Sequence, residues 1–151
     1  MGGYASLAAG SSDTAIVCVG AMAPGNLGDF KRAIEVGNET GDWIMDCADS
    51  LFMLRGYSGA KMKRELVEVD LQDVDLRTYG PGLVAKSVFL IVGDKDIVTP
   101  ADTMFSPIVE SYRRTANLAL ETHVISGDHS FSWGRKELTD LVKDWMLRDC
   151  R

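Results

Sequence analysis

Two short stretches of this chain place acids and a histidine just where an apolar run stops. "IVGDKDIVTP" carries Asp94 and Asp96, and "ISGDHSFSWG" carries Asp128 and His129. A carboxylate that accepts the N–H of an imidazole fixes the ring's tautomer and stabilises its protonated form. The other ring nitrogen is then a general base. Asp96 and His129 stand 33 positions apart, which leaves room for one helix between them. Each half alone has a plainer reading: Gly-Asp-Lys-Asp makes a turn for backbone reasons, and a histidine after Gly-Asp caps a loop. Together, each at the end of an apolar run, they point to an acid–base pair. His123 falls inside an apolar run and reads as a packed or surface histidine. The two histidines lack the spacing of a zinc pair, and no glycine loop followed by Lys-Ser/Thr cradles a phosphate.

Such a pair needs elements that hold its two halves side by side. "SVFLIVGD" (Ser87–Asp94) is a continuous apolar strand rich in β-branched and aromatic residues. "MFSPIVESYRR" comes next with Phe105, Ile108, Val109 and Tyr112 at helical spacing, and "LETHVISG" (Leu120–Gly127) is a further strand. The chain closes on a helix whose apolar stripe is Leu138, Leu141, Val142, Trp145 and Met146. Near the start, the first ten residues favour a helix stopped by Gly10, and "TAIVCVG" (Thr14–Gly20) reads as a buried strand, apolar on both faces. Strand and helix in alternation imply right-handed crossovers and a parallel sheet, so the fold class is α/β. In such sheets chemistry gathers past the carboxyl ends of the strands, where both motifs fall. Residues 21–86 are less regular: "GDFKRAIEVG", "DWIMDCADSLFMLRG" and "KMKRELVEVDL" read as helices, with Pro24, Gly25, Asn26 and Gly28 as punctuation.

Composition narrows the partners. The 151 residues suit one domain, and a net charge of −6 argues against a nucleic-acid partner. The densest basic group, Lys61, Lys63 and Arg64, reads as the solvated face of a helix. Cys18, Cys47 and Cys150 are three in number, widely spaced and without a CxxC pair. That count suggests unpaired thiols in a reducing compartment, with Cys18 acting as a small hydrophobe. The first basic residue is Lys31, so the start lacks the basic region of a signal peptide, and the apolar stretch around Ala15–Ala23 is too short to span a bilayer. The expectation is a soluble, cytoplasmic chain with no membrane partner.

"GDKDIVTP" resembles the acid-bearing turn of the α/β-hydrolases, and "GDHSF" before an amphipathic terminal helix resembles their histidine loop. The opening "MGGYASLAAG" is similar to the residues just after the nucleophile in the elbow Gly-x-Ser-x-Gly, and the family order Ser, Asp, His matches the surviving pieces. The resemblance implies Asp96, rather than Asp94, as triad acid and His129 as base. It puts Met1 at the position whose backbone N–H helps form the oxyanion hole, and residues 21–86 at the cap that selects substrate within a single domain, 1–151. It implies hydrolysis of a carboxylic ester or related small acyl substrate, without a cofactor or metal. It also places the nucleophilic serine immediately before Met1, so the expectation is the back part of a serine hydrolase with little activity by itself. Two other readings stay open. Ser58, in "RGYSGAK", superficially mimics an elbow, but Ala60 replaces its last glycine and the position suits a helix N-cap region; Ser6 would point away from any turn. Alternatively the chain is a non-catalytic α/β module that self-associates through an exposed strand edge.

Overall fold

Three parallel strands, β1 (Cys18–Met22), β2 (Ser87–Gly93) and β3 (Ala119–Ile125), pair in the order β1-β2-β3 in a computed structural model that describes residues 1–51 and 56–150. β2 is the middle strand because its side chains from Val88 to Val92 are all apolar and can be buried on either face. Alternation along it divides the core. Val88, Leu90 and Val92 pack with Leu7, Val19, Ala21, Phe105, Ile108 and Tyr112 on one face. Phe89 and Ile91 pack with Ile125, Phe131 and Trp145 on the other.

This division places the helices. α1 (Gly2–Ser12) supplies Leu7 to the first face. Gly10 does not end this helix but lies inside it, and the position is glycine because a methyl there would collide with the Val19 side chain packed against it. β1 likewise begins at Cys18 rather than Thr14, and its Gly20 is small because the Trp145 ring lies over it, where a methyl would come within 3.2 Å of the ring. As the end strand it pairs, among the described residues, with β2 alone, and the Gly20 carbonyl on it accepts the Ser6 hydroxyl at 2.7 Å.

Residues 26–75 form a compact unit of their own. α2 (Leu27–Val36), α3 (Glu39–Ser50) and α4 (Gly59–Glu68) meet around Ile34, Ile44 and Leu66, and a single turn, α5 (Leu71–Val74), closes the segment. Asn26, Asn38 and Ser58 cap α2, α3 and α4 by accepting a first-turn backbone N–H. Lys63 and Arg64 on α4 are exposed, and Lys61 lies over the Tyr57 ring. The stretch "LFMLR" that continues the expected second helix falls largely outside the described residues.

In the other unit (Met1–Gly25 and Leu76–Arg151), α6 (Ser106–Arg113) turns its Ile108, Val109 and Tyr112 to the first face. α7 (Arg135–Asp149) covers the second with Leu138, Leu141, Val142 and Trp145, while Met146 stays half exposed. The Trp145 indole N–H donates to Ser87 Oγ at 2.9 Å. This seating of α7 brings its end back to the start of β1, where Cys18 and Cys150 are joined in a disulfide with Cα atoms 5.5 Å apart. The expectation of unpaired cysteines is corrected here: positions 132 residues apart are neighbours in space, and Cys47 alone is free. No helix among the described residues is long and apolar enough to cross a membrane.

Candidate active site

The exits of β2 and β3 are stitched together ahead of Asp96 and His129. The Asp94 N–H donates to the Ile125 carbonyl at 2.8 Å, the Lys95 N–H to the Gly127 carbonyl at 2.9 Å, and the Gly127 N–H to Asp94 Oδ1 at 2.9 Å. The two loops approach so closely that only glycine fits at 93, since a methyl would meet the Gly127 carbonyl. Asp94, the alternative acid by position, is therefore committed to the backbone of the opposite loop.

Asp96 is directed elsewhere. Its side chain is fully buried and accepts four hydrogen bonds. Oδ1 takes the Val98 and Thr99 N–H groups at 2.8 and 2.9 Å. Oδ2 takes the Thr99 hydroxyl at 2.6 Å and His129 Nδ1 at 2.8 Å. Burial pushes the carboxyl pKa up; the Thr99 hydroxyl and amide, then the imidazole and the Val98 amide, more than offset it, and the group is held below its ordinary value. An ionised carboxylate only accepts, so the hydroxyl and Nδ1 must both be donors. The neutral ring is thus the Nδ1–H tautomer, with Nε2 bare. The His129 side chain is 40% exposed, and among the described residues nothing hydrogen-bonds Nε2.

The loop that carries His129 is anchored on both sides. The Asp128 carboxylate accepts the Ser130 and Ser132 N–H groups and the Ser132 hydroxyl. Phe131 is buried in the second core at a left-handed φ of 53°, a conformation that a bulky residue keeps only where its surroundings hold it. His123 lies away from this loop: Nε2 pairs with Glu121 at 2.7 Å and the ring stacks on Phe89.

Met1 stands at the start of α1, with its carbonyl accepting the Ala5 N–H at 3.1 Å. Gly3 is pressed against the Met22 carbonyl and Pro24, where even a methyl would come within 2.9 Å. Met22 lies opposite Ile91, two residues before β2 ends, so α1 begins on the sheet edge that also carries Asp96 and His129. Ser58 belongs to the 26–75 unit, where its extended backbone and its Oγ, which accepts the Lys61 N–H at 3.2 Å, make it the N-cap of α4. Thr99 escaped the sequence reading; the signal available was a turn aspartate, whose carboxylate accepts backbone N–H groups two and three residues on and so brings residue 99 against it.

No family model and no curated protein matches the sequence. Solved structures do. An acylaminoacyl peptidase of Pyrococcus horikoshii superposes with a TM-score of 0.69 at 12% identity, over 98% of this chain and 22% of its own. An esterase of Pyrococcus furiosus gives 0.62 at 16%, over 97% and 50%. Est1E from Butyrivibrio proteoclasticus gives 0.61 at 19%, over 96% and 56%. The chain thus spans little more than half the length of these proteins, or less. Along nearly all of its own length it has the fold of α/β-hydrolase esterases and peptidases.

Proposed function

We propose that this chain supplies the acid and the base of an α/β-hydrolase acyl-transfer site, with Asp96 orienting His129 and Nε2 of His129 moving the proton. The observation that carries the reading is the 2.8 Å bond between His129 Nδ1 and a fully buried carboxylate, with the second ring nitrogen left bare. In this reading a seryl hydroxyl placed just ahead of Met1 attacks the acyl carbon of a carboxylic ester or related substrate. His129 takes the hydroxyl proton and returns it to the leaving group. Position 1, the residue just ahead of α1, lies in this reading beside the developing oxyanion. In chain order, residues 21–86, which include the 26–75 unit, correspond to the cap segment that selects the acyl group. The similarity in fold to an esterase and a peptidase supports the reaction class.

Fluorophosphonate labelling read by intact mass tests the assignment. The chain Met1–Arg151 is expected to give no adduct, and Ser58→Ala is expected to change nothing. A single adduct abolished by both Ser58→Ala and His129→Ala would move the nucleophile to Ser58 and overturn the reading.

A further inference from the structure

We propose that Thr99 is a positioning residue that sets the basicity of His129 through Asp96, an inference that rests on the acid–base reading above. Thr99 is 2% exposed, and its hydroxyl is 2.6 Å from the same Asp96 oxygen that receives the imidazole N–H. The hydroxyl cannot serve the ring directly. Its oxygen is 3.5 Å from Nδ1, beyond a useful hydrogen bond, whereas Oδ2 is at 2.8 Å. Thr99 also gives its own N–H to Oδ1, so one residue holds both carboxylate oxygens.

Two donors on one oxygen share its charge. The attraction that raises the pKa of a histidine beside a carboxylate scales with the charge left on the accepting atom. By occupying part of Oδ2, the Thr99 hydroxyl weakens the hold of the carboxylate on the imidazole proton. A base must be unprotonated near the working pH to act, and this is the condition the hydroxyl helps to meet. The other charged groups around the loop are engaged elsewhere: Asp128 with the backbone of its own loop, Asp94 with the Gly127 amide, and Lys95 with the face of Trp133. The Asp96–Thr99 pair is therefore the local control on the ring.

The test is the His129 titration followed by the imidazole Cε1 proton in NMR, in the whole chain and in Thr99→Val, Thr99→Ser and Asp96→Asn. Valine keeps the shape and removes the donor, so the His129 pKa is expected to rise by about 0.5–1 unit; serine restores the donor and the original value. Asp96→Asn is expected to lower the pKa by about 1 unit, since the opposing charge is gone. A Thr99→Val value that is unchanged or lower, with Asp96→Asn still lowering it, overturns the role of Thr99 and leaves the pair standing. A His129 pKa that ignores Asp96→Asn overturns the pair, and the inference with it.

Discussion

Gly93→Ala should separate the two halves of the site without touching either. The added methyl would meet the Gly127 carbonyl, lying 2.7 Å from its carbon and 2.8 Å from the Asp128 carbonyl oxygen. These are backbone atoms and cannot swing aside, so the β2 and β3 exits must part. Parting them breaks three bonds: Asp94 N–H to Ile125, Lys95 N–H to Gly127, and Gly127 N–H to Asp94. At about 1 kcal/mol each the loss is about 3 kcal/mol, a figure that overpacking alone also reaches. With a urea m-value of about 2 kcal/mol/M, the unfolding midpoint followed by circular dichroism falls by about 1.5 M. His129, drawn away from Asp96, should lose the bond from its Nδ1–H to the carboxylate, which the ¹⁵N shifts of the ring would report. Gly127→Ala is the control: its methyl meets Phe131 at 3.4 Å, an ordinary contact, and the midpoint should hardly move. If Gly93→Ala unfolds at the wild-type midpoint and the His129 ring shifts are unchanged, the closeness of the two loops does not hold the site together.

Particular contacts yield three further outcomes. Ser58→Ala removes the cap of α4 and should lower stability by about 1 kcal/mol in a urea titration, with no change in the His129 titration. The Cys18–Cys150 bond closes a loop of 132 residues, for which chain entropy gives about 5 kcal/mol; reduction, or Cys150→Ser, should lower Tm by about 10 °C or more, and an unchanged Tm with free thiols by mass would rule the bond out. Asp96 has a folded pKa below its unfolded one, so its stabilising contribution is present above pH of about 4 and is lost as the pH falls through the folded value; urea midpoints at pH 5 and pH 3 should differ less in Asp96→Asn than in the wild type.

The back of the molecule was legible because one physical cause acted alone there. β2 is apolar at every position from 88 to 92, and only burial on two faces accounts for that; α7 carries a stripe that one sheet face must cover. Near the start, causes compete. Thr14–Val17 looks more strand-like than Gly20–Met22, yet pairing with β2 selects the latter, because Gly20 and Gly10 leave room for Trp145 and Val19. Glycine in each case marked a close neighbour that the sequence does not name. The disulfide was hidden for the same reason, since only the seating of α7 makes Cys150 a neighbour of Cys18. Within the site, Asp96 and His129 were visible from their places at strand ends. The division of labour between Asp94 and Asp96, and the part of Thr99, depend on where each donor points.

The pairing of His129 with Asp96 is tested most directly by the ¹⁵N shifts of the His129 ring, in the wild type and in Asp96→Asn. The account predicts a proton on Nδ1 and a bare Nε2 in the neutral wild-type ring. In the variant the side-chain amide can donate to Nδ1, and the proton should move to Nε2. A neutral wild-type ring protonated at Nε2, or one whose shifts do not respond to Asp96→Asn, would contradict it.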